Sequence, residues 1–107
     1  MKILTSLALA ALFTVGSGVA VAQQPTATYQ RDVPDSLAAH AKISEDSARA
    51  VALRRVPGGM IQELELEREG GKLVYSFDIK VARKAGITEV QVDALTGKIV
   101  SVEHETH

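Results

Sequence analysis

Residues 60–81 read MIQELELEREGGKLVYSFDIKV, two runs of alternating polarity on either side of a glycine pair. In the first run Leu64 and Leu66 fall on one face, while Glu63, Glu65, Glu67 and Glu69 fall on the other. In the second, Leu73, Tyr75, Phe77, Ile79 and Val81 share a face and Ser76, Asp78 and Lys80 oppose them. A strand sends successive side chains to opposite sides, so a period of two marks a half-buried sheet. Gly70-Gly71 supplies the positive φ that a tight hairpin turn requires. A β-hairpin therefore sits at the centre of the chain.

Downstream, Ala82-Arg83-Lys84-Ala85-Gly86 forms a basic loop. Thr88, Val90 and Val92 then alternate with Glu89, Gln91 and Asp93 as a third strand. Residues 93–98 make a turn in which Gly97 can adopt the left-handed conformation, and residues 99–103 form a fourth short strand with Val100 and Val102 on one side.

Upstream, residues 43–56 read ISEDSARAVALRRV and predict the main helix. Ser44 is its N-cap, and Glu45 and Asp46 place negative charge in the first turn, where the helix dipole favours it. Ala48, Val51, Ala52 and Val56 recur at helical spacing, with Arg49 and Arg54 off that stripe. Ile43 can pack on Ala48 as a hydrophobic staple. Pro57-Gly58-Gly59 stops the helix. A shorter helix is expected over residues 36–42, with Asp35 as N-cap and His40 on its surface.

The chain opens with Met1-Lys2, an apolar run over residues 3–15, and then Gly16-Ser17-Gly18 and Ala20-Val21-Ala22. A single positive charge, an apolar stretch of about a dozen residues and a small-x-small site read as a secretory signal peptide, since crossing a bilayer takes roughly 20 residues. The rival reading is an uncleaved anchor. Cleavage is expected between Ala22 and Gln23, placing the mature protein in the periplasm with no further membrane span. The expected organisation is a signal peptide over residues 1–22, a flexible polar lead-in over 23–34 and one folded domain over 35–105.

Composition narrows the function classes. There is no cysteine, so no disulfide framework supports the small core. A net charge of −1, no tryptophan and no basic run longer than the pairs Arg54-Arg55 and Arg83-Lys84 argue against a nucleic-acid partner. One amphipathic helix and a meander with one apolar face have one natural solution, the helix lying across the sheet. The predicted fold class is α+β: a main helix plus a short N-terminal helix on a three- to four-stranded antiparallel sheet, in the order α-α-β-β-β-β.

These residues resemble the PepSY domain family. The resemblance is carried by Ile43-Ser44-Glu45, Ala48 and Ala52, Val56-Pro57-Gly58-Gly59, Leu64-Glu65-Leu66-Glu67, the strand from Gly71 to Ile79, Val92-Asp93, and Thr96-Gly97-Lys98-Ile99-Val100-Ser101-Val102-Glu103. The family is similar to a segment of thermolysin-like protease propeptides, which helps hold the enzyme inactive and assists its folding. The resemblance implies a helix-on-sheet fold, a non-catalytic protein, and a peptidase or another envelope protein as partner. It transfers no set of functional side chains. No protease domain follows in this chain, so inhibition would act in trans.

Candidate chemistry is sparse. His104-Glu105-Thr106-His107 has its histidines three apart, whereas the helical H-E-x-x-H zinc motif needs four. His104 and His107 are the weak metal candidates; no cofactor and no catalytic residue is assigned. The row Glu63, Glu65, Glu67, Glu69 reads as a solvated face rather than the six to eight converging oxygens that calcium takes. The functional expectation is an interaction module that modulates or inhibits a periplasmic peptidase. The alternatives are a small-ligand or metal-ion sensor of the envelope and a self-associating structural protein; an enzyme is disfavoured because no site meets the geometric requirements of one.

Overall fold

The computed structural model describes residues 28–106. The expected signal peptide, its expected cleavage site at Ala22 and Gln23, and His107 lie outside the described residues. The elements are β1 (Gln30–Asp32), α1 (Asp35–Ala38), α2 (Glu45–Arg55), β2 (Gly59–Glu69), β3 (Lys72–Val81), β4 (Ile87–Asp93) and β5 (Ile99–Glu105). They form an α+β fold with a five-stranded sheet in the order β1-β2-β3-β4-β5. β1 pairs parallel to β2, and every other neighbour is antiparallel.

The central hairpin is as expected, with Gly70 and Gly71 at φ 57° and 83° closing the turn. Leu64 faces Phe77 and Leu66 faces Tyr75 across it, and all four are buried. Ile61 is also buried, although it lies an odd number of residues from Leu64. A bulge between Ile61 and Glu63 absorbs the extra residue and returns Ile61 to the core face opposite Ile79. A second irregularity, at Gln91 and Val92, sets Val92 against Ile99 and leaves Val100 40 % exposed. Val100 and Val102 therefore do not share a face as the alternation predicted: Val102 sits opposite Val90 and packs on the core.

Helix α2 lies across the apolar side of the sheet. Ser44 caps it, its side chain accepting a hydrogen bond from Ser47 N at 3.1 Å. Ala48 and Ala52 are fully buried, and their small side chains let the helix approach the sheet closely. The helix start is tied to the β4–β5 turn, where Ala94 O accepts from both Lys42 N and Ile43 N at 2.9 Å. Tyr75 Oη adds a bond to Ile43 O at 2.8 Å. At the far end, Gly86 holds φ 85° in the β3–β4 turn, where a Cβ would run into the Glu105 carbonyl. The short helix is cut to four residues, Asp35–Ala38, and is preceded by Pro34 rather than capped by Asp35.

The sheet differs from expectation at its first edge. A three- to four-stranded antiparallel sheet was predicted, with residues 23–34 as a flexible lead-in; instead Gln30–Asp32 adds a parallel fifth strand. The cause lies in side chains that have no periodicity to announce them. Tyr29 is buried in the core cluster. Its hydroxyl donates to Glu45 Oε2 at 2.9 Å and accepts from Arg49 Nη1 at 3.0 Å. Arg31 reaches the same carboxylate through Nε at 2.9 Å and through Nη2.

Candidate functional site

Strand alternation and register place the charged residues before any contact is considered. On the side away from α2, Glu63 faces Asp78, Asp78 faces Glu89, and Glu89 faces Glu103. Carboxylates thus stand directly opposite one another across β2, β3, β4 and β5. Like charges in that relation destabilise a sheet. A second row runs from Asp32 through Glu65, Ser76 and Gln91 to Ser101. The outer face is predominantly acidic, with Lys72 and Lys80 at opposite ends of β3.

That face is not uniformly solvated, as the alternation alone suggested. Val74, Ser76 and Gln91 are buried at its centre, flanked by the longer side chains of their cross-strand neighbours. Ser76 Oγ donates to Glu89 Oε2 at 3.2 Å, and Ser101 Oγ donates to Gln91 Oε1 at 3.0 Å. The carboxyls around them are partly desolvated, and their proton affinities rise in consequence. Burial, then the charges of Glu65, Glu69 and Glu89, pushes Glu67 up. Burial, then Glu63, Glu65 and Glu105, pushes Asp78 up. Glu89 is raised by burial and by Asp78, Glu103 and Glu105, against the bond from Ser76 that opposes the rise.

The acidic row ends at β5, the last strand of the sheet, which has no further strand beside it among the described residues. Ile99 and Val100 are exposed there. The opposite edge, β1, is only three residues long and is held down by the Tyr29–Glu45–Arg31–Arg49 cluster. A long edge strand with free main-chain groups is a template for an added strand, and a short, tied one is not.

In the β1 cluster, Glu45 is held below the usual carboxylate range, chiefly by the bonds from Arg31, with Tyr29 adding to them against the opposing effect of burial. Arg49 was read as lying off the buried stripe; the structure buries it, because Tyr29 lies over it and Asp46 Oδ1 accepts from its Nη2 at 2.7 Å. The cluster is structural: every charged member has a partner within it.

His104 lies in β5, within hydrogen-bonding distance of Thr88 Oγ1 through Nδ1 at 2.9 Å. Strand alternation sends Glu103 and Glu105 to the opposite face from it. No group of three or more histidine, aspartate or glutamate side chains placed to hold a metal occurs among the described residues. Asp93, a strand-end acid with no assigned role in the sequence reading, closes the β4–β5 turn. Its Oδ1 accepts from Leu95 N at 2.7 Å and Thr96 N at 3.2 Å, which lowers its proton affinity.

Residues 42–103, more than half of the chain, match the model of PepSY, the peptidase propeptide and YPEB domain. The chain belongs to the PepSY family. The match begins at Lys42, just before the Ser44 cap, and ends at Glu103 in β5, so it spans α2 and the β2–β5 meander. Tyr29 and β1 lie outside the matched residues, so the strand that this PepSY protein pairs to β2 is not part of the match. Comparison with curated proteins and with solved structures gave no match. Among the described residues no helix is long and apolar enough to cross a membrane.

Proposed function

We propose that this PepSY protein is a non-catalytic, periplasmic interaction module that modulates a peptidase, docking it through the β5 edge and the acidic face beside it. The observation that carries the reading is the row Glu63–Asp78–Glu89–Glu103 running out to the edge strand of the sheet. A partner segment added along β5 would gain main-chain hydrogen bonds, and basic side chains on its outer side would meet the carboxylates. Membership of a family named for peptidase propeptides supports a peptidase as that partner. The signal-like leader at residues 1–22 supports export. Thermolysin-like and other secreted peptidases are assayed against the purified protein, alongside a pulldown from periplasmic extract. Inhibition that weakens in Glu89→Gln/Glu103→Gln and at high salt supports the reading. No inhibition at micromolar protein, with no peptidase recovered, overturns it.

The facing carboxylates Glu63, Asp78, Glu89 and Glu103 favour one alternative, a sensor that takes a loosely held metal ion, because a cation beside the row would offset their mutual repulsion. Thermal unfolding with calcium, zinc and copper separates the two, since an ion that binds only the native state raises Tm. A flat response across the three ions removes the alternative.

A further inference from the structure

On the helix side, away from the acidic face, a solvent-open cleft of about 380 Å³ lies between the end of α2, the β3–β4 turn and β5. Its floor is apolar, formed by Val56, Val81 and Val102, and its rim carries Arg55, Lys84 and His104. No carboxylate among the described residues lines it. Arg55 and Lys84 take part in none of the ion pairs found among the described residues. The backbone builds this arrangement at a cost. Arg83 adopts φ 69°, an uncommon conformation for a non-glycine residue, as the chain reverses to bring Lys84 to the rim. Like charges at one rim repel one another, and an anion seated between them would offset that repulsion. A concave apolar floor with a few convergent polar groups is the usual form of a small-ligand site, and the volume is within the range of such sites.

We infer that this cleft binds a carboxylate bearing a short apolar group. The anionic end would be held by Arg55 and Lys84, with His104 as a further donor, and the apolar end would rest on the three valines. Two sources share this chemistry: the C-terminal residue of a peptide with an aliphatic side chain, and a free aliphatic carboxylic acid. The site is separate from the acidic face, so it stands or falls independently of the peptidase reading.

The test is a titration followed by amide NMR shifts, using N-acetyl-leucine, N-acetyl-leucinamide, the peptide Ala-Ala-Leu, 4-methylpentanoate, acetate and hexylamine. The expected result is saturable shifts at Val56, Val81, Thr88 and Val102 with the apolar carboxylates, half-complete near or below about 1 mM, the weak end of specific binding. Acetate, hexylamine and the amide should give none. Arg55→Gln/Lys84→Gln should raise Kd at least about tenfold, and added salt should weaken binding, because the contact is between charges near solvent. Arg55 and Lys84 are both exposed, and an unchanged amide spectrum elsewhere shows that the double variant remains folded. Tighter binding of Ala-Ala-Leu than of 4-methylpentanoate identifies a peptide terminus as the ligand; the reverse identifies a free acid; either supports the site. Equal binding of the acid and its amide, unchanged affinity in the double variant, or no saturable shift up to about 20 mM overturns it.

Discussion

Replacing Glu45 with glutamine removes one charge from the cluster that pins β1 to the helix start. The carboxylate accepts from Tyr29 Oη and, through both oxygens, from Arg31. A hydrogen bond to a charged group contributes roughly 1.5–3 kcal/mol when water is excluded, and an exposed ion pair under about 1 kcal/mol. The Arg31 side chain is 42 % exposed and that of Glu45 15 %, so the pair falls between those limits. Glutamine keeps one acceptor oxygen, which leaves an expected loss of about 1–2 kcal/mol. For a domain of this size that corresponds to a fall in Tm of about 5–15 °C.

The pH dependence is a sharper check. The Glu45 proton affinity is lowered in the fold, so its contribution is complete above the ordinary carboxylate value of 4.5 and is lost as pH falls through the lower folded value. Thermal unfolding of wild type and Glu45→Gln should therefore show a full gap at pH 7 that closes in acid. Native-state amide exchange should show Gln30–Asp32 losing protection ahead of the other strands. A gap below about 2 °C at pH 7, or one that acid leaves unchanged, would refute the cluster as the device that holds the fifth strand.

Other perturbations test other parts of the fold. Phe77 is fully buried at the sheet centre, so Phe77→Ala should cost about 3–5 kcal/mol and leave the domain largely unfolded by circular dichroism at 37 °C. Gly59→Ala places a methyl against Ile79 Cγ2 and 2.9 Å from Val56 O; the expected cost is about 1–3 kcal/mol, read from denaturant midpoints, with Gly58→Ala as a comparison that meets no atom within 4 Å but must hold φ 78°. Tyr75→Phe loses the bond to Ile43 O and should cost about 1 kcal/mol in the same assay. Glu67 and Glu89 have raised proton affinities in the fold, so their charged forms oppose folding, and the stability tied to their protonation is lost as pH rises through the folded values. Glu67→Gln and Glu89→Gln should each raise Tm at pH 7, with the gain shrinking as pH falls toward the carboxylate range; a lowered Tm at pH 7 would contradict the acidic row.

The hairpin, the Ser44 cap, the alanine stripe and the α+β class were legible in the sequence because each rests on local rules: alternation, spacing and the residues that turns require. These follow from neighbours a few positions apart, and no distant contact is needed to read them. Tertiary contact decided the rest. The bulge at Ile61 and Glu63 exists because it returns a large side chain to the core, which no fixed period expresses. The fifth strand depends on Tyr29, Arg31, Glu45 and Arg49 meeting across sequence separations of up to 20 residues. A tyrosine and an arginine in a polar stretch were its only trace in the sequence, and they carry no pattern. The functional surfaces divide in the same way. The glutamate row of β2 could be read directly, but its continuation through Asp78 and Glu89 to Glu103 is a matter of strand register. The basic cleft was invisible, because Arg55, Lys84 and His104 come from a helix end, a turn and an edge strand, and only packing of the helix on the sheet brings them to one place.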